Sequence, residues 1–275
     1  MKQPLTVLGF GAVAPYTRAD APGGCFDASA ALPLSPTNAA GELPKLDLAL
    51  LERTLRRGLS EVTRLFMHAA KLALDDAGRE PEHMHVIFAS AFGEIGTAEA
   101  LLSEAYEQDG SSPARFRNSV HNTAAGLLSI STKNHLSCTA VAAGWETVPM
   151  ALLEAAGQLA SQADTVLLVF AEERVPNALS AEHHHGPLAA AFVLARDAAP
   201  GVVARGSLGN VRRRPRSELT AGSLAESDDD NLDQHPLAAV RSLVRALAPT
   251  TNRTTVALSD GENPWCVDVH TRVQS

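Results

Sequence analysis

Few side chains in this sequence could do covalent chemistry. Cys138 comes first, because it opens the stretch CTAVAAGWETVPMALLEAA, residues 138–156. A short β-prone run there ends at Gly144, and an amphipathic helix begins a few residues later. A nucleophile at such a strand–turn–helix joint gains from the helix N-terminus, which stabilises a thiolate and lowers its pKa. The joint itself holds Gly144, which tolerates positive φ but offers no attacking atom. Cys138 stands six residues upstream. Along an extended chain that is roughly 20 Å away, so Cys138 reads as a small core residue. Ser137 has no better claim.

The other chemical motifs are weaker. The GxG of LGFGAVAP lacks the third glycine and the immediate helix of a dinucleotide fold. No G-x-S-x-G elbow is present. EHHHG at 182–186 suggests a metal, but three consecutive histidines cannot face one ion from a strand or helix, and we read an exposed loop. No Cys/His spacing resembles a zinc site. Neither a metal nor a cofactor is expected. Two basic clusters, Arg53/Arg56/Arg57 and RRRPR at 212–216, read as solvated faces.

The elements that must position these residues alternate. LTVLGFGAVAP (5–15) predicts a buried strand running into a glycine turn, and 20–48 a long loop. LSEVTRLFMHAAKLALDDAG (59–78) predicts a helix with Val62, Leu65, Phe66, Ala69 and Ala73 on one face, Ser60 as N-cap and Gly78 as stop. Strands are expected at 85–93, 137–143, 164–173 and 187–197, with helices at 97–108, 119–133 and 147–161. Beyond Pro200 we expect a strand in VARGSLGNV, a mobile charged loop over 211–235, a helix at 236–248 and two strands within 254–273. The pattern is a layered α/β fold.

The bulk numbers bound the function. The chain has 275 residues, 45% hydrophobic and 20% charged, as in a globular protein. A net charge of −8 argues against a nucleic-acid partner. No apolar run reaches the roughly 18 residues of a membrane span. Three separated cysteines, Cys25, Cys138 and Cys266, form no disulfide framework and fit a reducing cytoplasm.

Several stretches together resemble the N-terminal half of β-ketoacyl synthases, which have the thiolase fold. LTVLGFGAVAP is similar to the family's first strand and glycine turn, and LSEVTRLFMHAAKLALDDAG to its first long helix. VIFASAFGEIGTAEALL resembles the strand that ends in a Gly-Ser-Gly-type turn, NTAAGLLSI the N-x-x-A-G helix, and TVLLVFAEE the strand ending in Gly-Gly-x-Glu. The resemblance spans roughly residues 4–200. It implies a thiolase-like mixed sheet flanked by helices, with 1–210 as an N-terminal-half-like domain, 211–235 as a charged loop and 236–275 completing the same domain.

The resemblance places Gly144 where the family's catalytic cysteine sits. A slip of one residue would put Ala143 or Trp145 there, and neither is a nucleophile. The two histidine motifs of the family's C-terminal half are absent, and His235 and His270 stand in unrelated surroundings. The implied role is therefore a non-catalytic subunit, similar to the chain length factors of type II polyketide and aryl polyene systems. Its implied partner is an active β-ketoacyl synthase, in a heterodimer or larger assembly. An acyl carrier protein is a further possible partner, through either arginine cluster. GTAEALLSEAYEQ matches the family segment that projects towards the partner's tunnel, so Thr97, Ala98, Leu101 and Leu102 become candidate pocket residues. The alternative is a divergent acyltransferase, malonyl decarboxylase or β-ketoacyl-carrier synthase using Cys138 or a histidine.

Overall fold

The computed structural model of the protein describes residues 4–13, 43–107, 113–161, 163–179, 185–197, 203–219, 235–247 and 253–271. Strand β1 (Leu5–Val13) is followed by α1 (Glu61–Ala77), β2 (His85–Ala89), α2 (Ile95–Glu107), α3 (Pro113–Arg117) and α4 (Thr123–Thr132). Then come β3 (Cys138–Val141), α5 (Thr147–Ser161), β4 (Thr165–Glu172) and β5 (Leu188–Ala195). The chain continues through β6 (Gly206–Leu208), β7 (Arg212–Arg213), α6 (Ala238–Ala246), β8 (Arg253–Ala257) and β9 (Trp265–Thr271).

Among the described residues the nine strands lie in one sheet, in the order β3-β2-β4-β5-β1-β6-β9-β7, with β8 also paired to β9. β2 runs parallel to β3 and β4, whereas β5 is antiparallel to both β4 and β1. β6 joins β1 to β9, so the segment beyond residue 200 extends the same sheet. β3 pairs only with β2 among the described residues, and its outer edge is open.

The sheet is covered on both sides, which is why its strands read as continuous apolar runs. In β4, Val166, Leu168 and Phe170 face α5 and α6, while Leu167, Val169 and Ala171 face α1 and α4. Period-two alternation divides one strand between two cores. α1 forms as its caps predict: Ser60 Oγ accepts the Thr63 N–H at 3.1 Å, and Gly78 ends the helix in the left-handed region.

The GxG of β1 has a packing role. A Cβ on Gly9 would stand 2.5 Å from the backbone nitrogen of Ala77, and one on Gly11 would stand 2.2 Å from the Leu72 Cβ. The two hydrogens let α1 lie directly on the strand.

Several boundaries differ from expectation. β2 stops at Ala89, because the next residues turn to seat α2. The 119–133 helix begins only at Thr123. The short α3 and a 3-10 turn at Arg53–Arg56 were not read from the sequence. The segment read as a charged loop opens with β7 and a 3-10 turn at Arg216–Glu218. Residues 220–234, and most of the loop read over 20–48, lie outside the described residues.

Candidate functional site: a strand–helix joint and the turn beside it

The expected joint forms. β3 ends at Val141, a 3-10 turn runs over Gly144–Glu146, and α5 starts at Thr147. Gly144 has φ +55°, and no heavy atom lies within 4 Å of the place its Cβ would occupy. The buried Thr147 holds the turn from below. Its hydroxyl accepts the Ala143 N–H at 3.0 Å and donates to the Gly144 carbonyl at 2.7 Å. Trp145 beside Gly144 is 49% exposed.

No thiol serves this joint among the described residues. Cys138 packs half-buried against the α1/α4 core, its Sγ facing the Ala125 carbonyl at 3.9 Å. Burial pushes its pKa up, the reverse of an activated thiolate. Cys266 is buried on β9 and is also pushed up by burial. Cys25 lies outside the described residues. Among the described residues, no group of three or more His, Cys, Asp or Glu is placed to hold a metal ion.

The four candidate pocket residues on α2 do not share one face. Leu101 is buried, and Thr97, one turn earlier, donates to Glu94 Oε2 at 3.2 Å. Leu102 is 51% exposed, with Ala98 one turn before it on the same outer side. Of the four, Leu102 alone is exposed, while Thr97 and Ala98 are both half-buried. Other large apolar side chains are exposed as well: Tyr106 on α2, Phe116 on α3, Ile130 on α4 and Leu136 before β3.

The start of α2 rests on three buried carboxyls that were not singled out in the sequence. Glu172 ends β4, Glu173 follows it, and Glu94 precedes α2. Glu173 accepts the Gly96 N–H of α2 at 2.8 Å and the Val62 N–H of α1 at 3.1 Å. Glu94 accepts from the Thr63 hydroxyl at 2.6 Å as well as from Thr97. Glu172 accepts from the Ser90 hydroxyl at 2.9 Å and from the Ala91 and Phe92 N–H groups. Burial pushes all three carboxyls up, Glu172 to about 8, against the pull of these hydrogen bonds. The only sequence signal was an acidic pair closing an apolar strand.

The histidine run is corrected. His185 is not on an exposed loop: it is 2% exposed, stacked on Phe92 at 5.9 Å and 4.4 Å from the His235 ring. His235 is fixed as a neutral tautomer. Its Nδ1 accepts the Leu237 N–H at 2.9 Å, so Nε2 donates to the Gly186 carbonyl at 3.1 Å. Burial, helped by His185, pushes His235 down to about 3. His183 and His184 lie outside the described residues, and His270 is half-buried on β9.

The second arginine cluster is also corrected from a solvated face to an ion-paired one. Arg212 and Arg214 meet Asp268, and Arg213 meets Glu146 at 2.8 Å while lying 4.8 Å over the Trp265 ring. This ties the joint to the antiparallel β7–β9 pair. In the first cluster, Arg53 and Arg57 are exposed as expected, and Arg56 Nε donates to the Leu51 carbonyl. No helix among the described residues is long and apolar enough to cross a membrane.

Many solved structures share this fold, and three illustrate it. One is the ketosynthase ApeO in complex with its chain length factor ApeC from Xenorhabdus doucetiae. It is 21% identical, with a TM-score of 0.67, over 98% of this chain and 100% of that one. Another is the ishigamide ketosynthase/chain length factor, 16% identical with a TM-score of 0.70, over 98% and 99% of the two chains. A third is a type II polyketide acyl-carrier protein in complex with its ketosynthase, 15% identical with a TM-score of 0.69, over 99% and 100%. No curated protein matches the chain. The model of the β-ketoacyl synthase N-terminal domain matches residues 31–266, well past the residue 200 at which the resemblance was expected to end. With that match over most of its length, the chain belongs to the β-ketoacyl synthase family and has its thiolase-like fold.

Proposed function

We propose that this protein is a non-catalytic ketosynthase-like subunit of the chain length factor type. It pairs with an active β-ketoacyl synthase and forms part of that enzyme's acyl-pocket wall, in polyketide or fatty-acid-type synthesis such as that of aryl polyenes. The observation that carries this reading is the joint at Gly144. The turn and the helix start are intact, the space for a side chain is open, and neither described cysteine is placed there.

Two features support a partner. The outer edge of β3 leaves backbone groups available for strand pairing. Exposed apolar side chains flank it, Leu136 before β3, Trp145 after it and Ile130 on α4, and others, Leu102, Tyr106 and Phe116, stand on α2 and α3. Large side chains of this kind, grouped on neighbouring elements, mark interaction surfaces. Two of the structural neighbours are themselves ketosynthase and chain length factor assemblies. Of the four residues proposed on α2, Ala98 and Leu102 are the wall, and Thr97 and Leu101 hold the helix in place. An acyl carrier protein is a further proposed partner. The exposed Arg53 and Arg57 suit its acidic surface better than the 212–214 arginines, which are already paired.

Co-expression with the ketosynthase of the same cluster, followed by size exclusion, tests the reading. Co-elution and a change in product chain length are expected. A chain that elutes alone and leaves product lengths unchanged defeats it.

A further inference from the structure

Apolar packing does little to place α2. Leu101 is its one buried residue. Neither Leu101 nor Ile95, where the helix begins, belongs to either of the two cores on the faces of the sheet. A surface helix is ordinarily held by an apolar stripe laid on such a core. α1 is held that way, with its buried residues from Val62 to Leu74 and its Ser60 cap.

Two buried carboxyls join the first turn of α2 to the first turn of α1. Glu173 accepts the Val62 N–H of α1 on Oε2 at 3.1 Å and the Gly96 N–H of α2 on Oε1 at 2.8 Å. Glu94 accepts the Thr63 hydroxyl of α1 on Oε1 at 2.6 Å and the Thr97 hydroxyl of α2 on Oε2 at 3.2 Å. Each carboxyl thus gives one oxygen to each helix. Glu172, by contrast, binds only the turn after β2. Gly96 lets Glu173 reach the backbone, because a Cβ there would stand 3.2 Å from Oε1.

We propose that Glu94 and Glu173 are positioning residues: they clamp the start of α2 to α1 and so set where Leu102 stands, and with it the length of the chain that the partner enzyme makes. Hydrogen bonds are directional and apolar contacts are not, so four bonds on one helical turn fix the angle at which α2 leaves the body. Leu102 lies six residues beyond Gly96, roughly 9 Å along the helix axis. A tilt allowed at the clamp is therefore carried out to Leu102. The consequence for chain length rests on the chain length factor reading, whereas the clamp rests on the fold of the free chain.

Hydrogen exchange on the free chain and product analysis of the co-expressed pair test it. Thr63→Val keeps the shape of a buried α1 residue and removes its bond to Glu94, and Thr63→Ser keeps the hydroxyl. Glu173→Gln puts an NH2 group where one of the two backbone N–H groups needs an acceptor. Exchange of the α2 amides should quicken about tenfold or more in Thr63→Val and Glu173→Gln. It should stay at the wild-type rate in Thr63→Ser, and the α5 amides should not change in any variant. Co-expressed with the ketosynthase, Thr63→Val and Glu173→Gln should still co-elute but give products of shifted or more widely spread length. Thr63→Ser should give the wild-type product. Wild-type α2 exchange in both Thr63→Val and Glu173→Gln overturns the clamp. A loosened α2 with wild-type product lengths overturns its control of length. If Glu173→Gln fails to fold, Thr63→Val against Thr63→Ser decides. Failure of the wild-type chain to pair would defeat the chain length factor reading instead, and exchange on the free chain would still decide the clamp.

Discussion

The hydroxyl of Thr147 donates to the carbonyl of Gly144 at 2.7 Å and accepts the Ala143 N–H at 3.0 Å. One buried side chain thus satisfies backbone groups on both sides of the turn at Gly144. Replacing it by the isosteric valine removes both bonds and leaves two backbone groups short. Thr147→Val should cost about 1–3 kcal/mol, read as a lower denaturant midpoint with an unchanged slope.

Gly144→Cys should fold. Nothing blocks the new side chain, and the left-handed backbone at φ +55° costs roughly 1–2 kcal/mol for a residue with a Cβ. The thiol would stand exposed at the start of a 15-residue helix. Iodoacetamide should modify it well before Cys138, whose thiol burial pushes up. Mass spectrometry after timed alkylation gives the order, and faster modification of Cys138 would contradict the geometry.

Glu172 should make stability fall with rising pH. Its folded value of about 8 lies above the ordinary 4.5, so the folded chain binds the extra proton between them. The contribution is full below 4.5 and is lost as the pH rises through about 8. Within that window one proton is worth about 1.4 kcal/mol per pH unit. The stability difference between Glu172→Gln and wild type should therefore move in the variant's favour from pH 5 to pH 8. Urea melts at each pH measure it, and a constant difference would refute the assignment.

Gly9→Ala should be severe. The added methyl meets the backbone of Ala77 at 2.5 Å, and backbone cannot rotate away as a side chain can. A loss of about 3 kcal/mol or more is expected from thermal unfolding.

Leu102 and Leu101 should part company. Leu102→Glu, on an exposed position, should leave the melting temperature within a few degrees but abolish co-elution with the ketosynthase. Leu101→Glu buries an unpaired charge and should destabilise the chain itself. Loss of pairing in the first variant without loss of fold separates an interface from a core.

Much of this architecture was legible locally. The helix 147–161 is bounded as expected, and α1 carries the predicted Ser60 and Gly78 caps, because capping is a matter of a few neighbouring backbone groups. The apolar run of β4 announced a strand buried on both faces, whereas the alanines of the β5 run left a helix possible and the structure makes it a strand. The joint at Gly144 was legible for the same reason, since a strand, a glycine and an amphipathic helix follow one another within twenty residues.

What failed was everything that depends on residues far apart in the chain. EHHHG reads as a loop because polarity is local, yet His185 finds Phe92 and His235, and only folding brings those rings together. RRRPR reads as a solvated face, yet Asp268 and Glu146 arrive from more than fifty residues away. The sequence by itself determined the periods, the caps and the absence of a nucleophile at Gly144, all properties of neighbouring residues. The tertiary structure alone decided which carboxyls are buried beside each other at the end of β4, because burial and charge pairing are set by elements that meet only when the sheet closes.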